Sequence, residues 1–307
     1  MIDDKPFSAG TWTPHNYGNR YRGRIPVYKA LMISSNVCAA RVIQYVGVRA
    51  VIQIARIMGI TTPLEYDYTI ALGSNGVKLF ELTRAYGIFA NGGFRVEPYA
   101  IERIESSRGK VLYSASRPKI TKVLSTDTAA IMTAMLKTVI EKGTGVAANI
   151  GKPAAGKTGT TDDYKDAWFV GYTPTIVAGV WVGNDNNAKM RGLTGGTVPA
   201  LIWRDIVKVA VQTLGGDDFG YPDIPLDGVS KKSYSNSKLT PSSDRSGYQH
   251  YTDSDYDNQV DEVPMTQLRQ PANQSTGQNN QYQQPSRYSS QSSQQAPIPM
   301  AVQNMNE

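Results

Sequence analysis

Three short runs between residues 157 and 183 constrain the fold of this 307-residue chain more than any other feature of it. Residues 157–161, 167–171 and 175–183 are rich in Val, Thr, Trp and Ala, and turn residues such as Asp162-Asp163 and Thr173-Pro174 separate them. Connections this short join antiparallel neighbours, because a parallel pair needs a crossover of a dozen or more residues. The preceding segments have helical spacing: residues 27–33, 37–46, 49–58 closed by Gly59, 77–90 ended by Asn91-Gly92-Gly93, and 127–140. Ser34 or Ser35 fits an N-cap between the first two of these helices, and Ser125 and Thr126 fit the cap of the last. One more helix follows the strands, at 198–211. The order predicts an α/β (α+β) fold, an antiparallel sheet flanked by helices. Residues 1–26 read as extended and looping, and Ser106-Ser107-Arg108-Gly109 reads as the turn of a hairpin over 100–105 and 110–113.

Composition sets the outer limits. Residues 227–307 are Ser, Gln, Asn and Asp with isolated Tyr, too little apolar surface to offset ordering entropy, so they read as a disordered tail behind a domain of residues 1–226. The formal charge is +6; after Gly228 six Lys/Arg face seven Asp/Glu, which leaves +7 on the preceding body. No zinc-finger spacing or aromatic-interleaved basic cluster accompanies that charge, so nucleic acid is not an expected partner. A single cysteine, Cys38, excludes an internal disulfide and reads as a small apolar helix residue. With only His15 and His250 present, both in polar segments, neither a Ser-His-Asp nor a Cys-His site is expected, and no metal or cofactor is implied. No stretch approaches the ~20 apolar residues of a membrane span, and the N-terminus has neither a basic nor an apolar leader region.

Chemistry concentrates in Gly151-Lys152-Pro153-Ala154-Ala155-Gly156-Lys157-Thr158, which satisfies the phosphate-loop pattern G-x-x-x-x-G-K-[ST]. Such a loop needs a hydrophobic strand before it and a helix after it. Here Pro153 breaks the approach and Gly159-Thr160-Thr161-Asp162-Asp163 is a poor helix start, so a P-loop NTPase is the distant alternative. The same letters hold Lys157-Thr158-Gly159-Thr160, the K-T-G element of serine acyl-transfer sites. At a strand edge, that element places a cation near a substrate carboxylate and lets backbone approach closely at Gly159. Ser34-Ser35-Asn36, about 120 residues earlier, supplies an S-x-N between two helices.

With these motifs, the blocks ALMISSNVCAARVIQYVG, LGSNGVKLFELTRAYGIFANGG, MLKTVIEKGTG, AAGKTGTTDDYKDAWFVGYTPTIVAGVWVGND and LTGGTVPALIWRDIV resemble, in order, the transpeptidase domain of class A penicillin-binding proteins, the bifunctional peptidoglycan synthases. The resemblance covers about residues 6–211. It implies a D,D-transpeptidase fold and activity, with peptidoglycan stem peptides and β-lactams as ligands. For the full-length family it also implies a location at the periplasmic face of the bacterial inner membrane. By the same resemblance Ser34 relays protons, Lys157 assists that relay, and Asn36 bonds the substrate amide side chain. Thr158 and Thr160 hold the terminal carboxylate beside Gly159, and the Thr160 N–H is an oxyanion donor. Trp168 is expected in the core, and the polar run near Asn184 on a surface loop.

One family element is missing. The nucleophile is the serine of an S-x-x-K that precedes S-x-N, but Ser8-Ala9-Gly10-Thr11 ends in threonine. The matches Ser107-Arg108-Gly109-Lys110, Ser116-Arg117-Pro118-Lys119 and Ser235-Asn236-Ser237-Lys238 all come later and lack a helical pattern. The expectation is a fragment of such a synthase, inactive alone unless an upstream fragment supplies the nucleophile. The alternative is a non-catalytic remnant or peptide-binding module.

Overall fold

The structure, a computed structural model, describes residues 1–221 and 224–226; the segment read as a disordered tail lies outside the described residues. Residues 1–26, read as extended and looping, contain a short ribbon in which β1 (Ile2–Asp4) pairs antiparallel with β2 (Gly23–Ile25). Three helices follow, α1 (Val27–Met32), α2 (Asn36–Val46) and α3 (Val48–Ile57), with Gly47 dividing the last two. A 3-10 turn at Tyr68–Leu72, which has no clear sequence signal, precedes α4 (Leu79–Ala90). Glu81 in the first turn of α4 is buried and accepts hydrogen bonds from the backbone N–H and hydroxyl groups of both Thr61 and Thr62, fastening the α3–α4 connection to that helix.

Residues 94–122 form two ribbons: β3 (Phe94–Val96) pairs with β6 (Ile120–Lys122), and inside that pair β4 (Arg103–Glu105) pairs with β5 (Val111–Ser114). The inner ribbon is the expected hairpin, shorter by a few residues and exposed along both strands. Helix α5 (Thr126–Lys142) then runs through the middle of the domain, capped by Ser125, whose side chain accepts from the Thr128 N–H. Its face of Ala129, Ala130, Thr133, Leu136, Val139 and Ile140 is buried, and it packs against α1 and the central sheet.

That sheet is the predicted one: β7 (Ala155–Thr160), β8 (Asp166–Tyr172) and β9 (Val177–Gly183) form an antiparallel meander, with Lys157 opposite Val170 and Trp168 opposite Trp181. Helix α6 (Val198–Leu214) covers one face. Trp203 of α6 is fully buried 5.3 Å from the Phe169 ring, and its Nε1 donates to the carbonyls of Gly171 (3.3 Å) and Ala178 (3.1 Å). On the other face Tyr172 packs with Phe89 of α4 and Leu136 of α5. Burying each of Phe169, Tyr172 and Trp203 contributes about 2–3 kcal/mol.

Two sequence readings change. Trp168 is half-buried beside Trp181, ring centres 6.4 Å apart, and is not in the core: it shares a face of β8 with the buried Val170 and Tyr172 but stands near the start of the strand, toward the β7–β8 turn. The phosphate-loop letters Gly156, Lys157 and Thr158 lie inside β7, and the chain turns from it into β8 with no helix between, so a phosphate loop is overturned. Among the described residues no single helix is long and apolar enough to cross a membrane; α2 and α3 would suffice together but are bent by 93°.

Candidate active site

The cleft begins at the junction of α1 and α2, where two adjacent serines have different duties. Helix α1 ends in a Schellman motif: the Ser35 N–H donates to the Ala30 carbonyl (2.9 Å) and the Ser34 N–H to the Leu31 carbonyl (3.1 Å). That motif needs a left-handed residue at the position Ser34 occupies, and Ser34 has φ 56°. Ser35 then caps α2, its Oγ accepting from the Cys38 N–H at 3.1 Å. Of the two cap candidates, Ser35 is therefore the cap, and Ser34 is left exposed with its hydroxyl pointing at β7.

Ser35 is also the hub of a buried polar cluster. Its hydroxyl donates to Asp4 Oδ1 at 2.7 Å, Asn16 Nδ2 donates to the same oxygen at 2.7 Å, and the Arg22 N–H donates to Asp4 Oδ2 at 2.8 Å. Burial pushes the Asp4 carboxyl up, and the hydrogen bonds from Asn16, Ser35 and Arg22 outweigh it, holding the group below its usual range. Asn16 Oδ1 accepts from the Val37 N–H, a second orphan donor of the α2 N-terminus. Asn36, the first residue of α2, donates from Nδ2 to the His15 carbonyl at 2.9 Å. The N-terminal segment thus anchors the wall that carries the S-x-N.

The opposite wall is β7, an edge strand of its sheet. Lys157 Nζ donates to Ser34 Oγ at 2.8 Å and to the Thr158 carbonyl at 2.9 Å, and it lies 3.4 Å from Thr158 Oγ1. Burial pulls its pKa down to about 8, so the amine can exchange a proton with a neighbouring hydroxyl near neutral pH far more readily than a solvated lysine. Thr158 Oγ1 lies 2.7 Å from Thr144 Oγ1, and Thr160 Oγ1 accepts from the Gly195 N–H at 3.0 Å. Gly195 comes so close to the strand that a Cβ there would sit 2.4 Å from the Gly159 carbonyl oxygen. At the rim, the hydroxyls of Tyr17 and Tyr164 meet at 3.1 Å, joining the N-terminal segment to the β7–β8 turn.

Of the residues singled out in the sequence, Ser34, Lys157 and Thr158 are bonded in sequence order across the cleft, Gly159 and Thr160 continue along β7, and Asn36 stands on the facing wall. Asp4, Asn16, Thr144 and the Tyr17–Tyr164 pair were missed. Only Thr144, between Gly143 and Gly145, and Gly195-Gly196 carry a local signal, as small-residue clusters outside any element. Two of the later S-x-x-K matches are not on helices, Ser107 being in the β4–β5 turn and Ser116 between β5 and β6; Ser235 is outside the described residues. Ser8 is exposed and bonded to Thr13 Oγ1 at 2.9 Å. Among the described residues no group of three or more His, Cys, Asp or Glu side chains is placed to hold a metal ion.

Comparison with known proteins follows the same lines. Residues 1–208 match the family described as the penicillin binding protein transpeptidase domain. The chain is 36% identical over 219 residues to penicillin-binding protein 1A of Aquifex aeolicus, covering 71% of this chain and 30% of that protein. It is 34% identical over 262 residues to penicillin-binding protein 1A of Pseudomonas aeruginosa, covering 66% and 32%. The crystal structure of penicillin-binding protein 1A from Haemophilus influenzae superposes with a TM-score of 0.67 at 28% identity, over 72% of this chain and 40% of that one. PonA1 of Mycobacterium tuberculosis in complex with penicillin V gives 0.65 at 23% identity over 73% and 68%, a likeness of fold. The chain spans about 30% of the length of the curated relatives it matches.

Proposed function

We propose that this chain, which belongs to the penicillin-binding protein transpeptidase family, carries the substrate-binding walls of a peptidoglycan D,D-transpeptidase and takes its nucleophile from a segment outside these 307 residues. The observation that carries the reading is the 2.8 Å contact of Lys157 Nζ with Ser34 Oγ beside a free strand edge. A stem peptide adds to β7 as an extended strand. Its terminal carboxylate meets Lys157 and the hydroxyls of Thr158 and Thr160, and Asn36 holds a side-chain amide. A serine brought by an upstream fragment attacks the carbonyl of the last peptide bond, with the Thr160 N–H as one oxyanion donor. The C–N bond breaks, and the leaving amine takes the proton that Ser34 and Lys157 relay. An acceptor amine then displaces the serine from the ester. β-Lactams are ligands of the same cleft, and the working location is the periplasmic face of the inner membrane. The domain occupies residues 1–226, with 227–307 as a separate tail.

A second reading, a peptide-binding module without turnover, rests on the same edge of β7, which can take an extended peptide whether or not a nucleophile is supplied. Intact mass after incubation with benzylpenicillin separates the two. The transpeptidase reading expects no adduct on the chain alone and a stoichiometric adduct on the added upstream fragment when both are present. Stem-peptide binding with no adduct in either case supports the module, and an adduct on this chain alone overturns the assignment of an external nucleophile.

A further inference from the structure

We infer that Thr144 sets the hydrogen-bond polarity of the carboxylate subsite: its hydroxyl donates to Thr158 Oγ1, so that the proton of Thr158 is left for an anionic ligand. The inference rests on the reading of this cleft as a carboxylate site and adds to it a positioning residue outside the K-T-G strand. A threonine hydroxyl has one proton and two lone pairs. Lys157 Nζ, 3.4 Å from Thr158 Oγ1, has no lone pair when protonated and can only donate. Thr144 Oγ1, at 2.7 Å, is the partner that can take either role. When an anion enters, the lowest-energy arrangement has both neighbours donating to Thr158 and Thr158 donating outward, a charge-assisted bond that a solvated or reversed hydroxyl would not give.

The backbone holds Thr144 where this requires it. Its N–H donates at 3.2 Å to the carbonyl of Met32, the last residue of α1 and two before Ser34. A Cβ on Gly143 would sit 2.3 Å from that same carbonyl oxygen, and a Cβ on Gly196 would sit 2.3 Å from the carbonyl oxygen of Thr144. The segment is therefore clamped between the end of α1 and the 194–196 loop, while the Thr144 side chain remains exposed at the cleft. Its exposure means that the hydroxyl can be removed with little disturbance of packing.

The test is the affinity of the full chain for N-acetyl-D-alanyl-D-alanine and for its C-terminal amide, measured by NMR titration for the wild type, Thr144→Val and Thr144→Ser, with Thr144→Ala as a second hydroxyl-free variant should valine fail to fold. The inference expects the wild type to prefer the acid, Thr144→Val or Thr144→Ala to lose roughly five- to tenfold of that preference with amide binding unchanged, and Thr144→Ser to retain it. A preference that survives in the hydroxyl-free variants, or is lost equally in Thr144→Ser, overturns the role of Thr144 and leaves the carboxylate site standing. A wild type that does not distinguish acid from amide overturns the carboxylate site and this inference together.

Discussion

Ser34 and Lys157 stand 123 residues apart in sequence and 2.8 Å apart in space, and Ser34 makes the contact from a left-handed backbone conformation, φ 56°. The residue that closes α1 is thus also the one that presents a hydroxyl to β7. Glycine would suit the first duty better, and serine is needed for the second. A conflict of this kind, local strain kept for the sake of a side chain, is expected at a functional site.

Ser34→Gly should therefore stabilise the chain while removing the hydroxyl that meets Lys157. The left-handed conformation costs an L-residue roughly 1–2 kcal/mol, part of which is offset by the extra freedom of glycine in the unfolded chain. A net gain of about 0.5–1 kcal/mol is expected in urea unfolding. A loss of stability would mean that the Lys157 hydrogen bond outweighs the strain.

Ser35→Ala should do the opposite although it is one position away. It removes the α2 cap and one of the donors to the buried Asp4 carboxylate. The expected cost is about 2 kcal/mol, read from the same unfolding curves. A cost near zero would show that the cluster reorganises around water.

Lys157 gives a pH dependence whose sign can be worked out. Unfolded, it keeps its proton up to about 10.5, and folded, burial lowers that to about 8. Between those values the unfolded state binds more protons, so stability rises with pH across the window, and below about 8 the full cost of burying the charge remains. Lys157→Met should lack this rise and be the more stable protein below pH 8. Unfolding free energies of both proteins across the window measure it, and parallel profiles would sink the prediction.

Glu81 makes the chain acid-sensitive. Hydrogen bonds from Thr61, then those from Thr62, outweigh burial and bring its pKa from 4.5 down to about 2. Its contribution is complete above about 4.5 and lost as pH falls toward 2. Glu81→Gln, which turns an amide group toward four donors, should cost about 2–3 kcal/mol at neutral pH and flatten the acid limb of the stability profile. An unchanged acid limb would place the acid sensitivity elsewhere, with Asp4 the next carboxylate to replace.

What was legible in the sequence was what local chemistry writes down. The strands β7, β8 and β9 follow from apolar runs and short turns, and α5 from its Ser125 cap and its periodicity. Lys157, Thr158 and Ser34 were found because their letters form motifs. The β1–β2 ribbon and the Asp4–Asn16–Ser35 cluster were not, because the meaning of each partner comes from a pairing 12 to 31 residues away. Trp168 was misplaced because its position near the start of β8 decides its burial, and aromatic character alone does not: Val170 and Tyr172, further along the same face, are buried. Whether Ser34 or Ser35 caps α2 could not be decided until the end of α1 was known to be a Schellman motif, which assigns both residues at once.

The inner ribbon of β4 and β5 is exposed along its whole length, and Gly109 gives its turn a left-handed bend with φ 77°. Neither strand adds a side chain to the buried core. For anyone working with the protein, this ribbon is a handle: a fluorophore, an epitope or a protease site engineered into the 106–109 turn would report on the chain without touching the cleft.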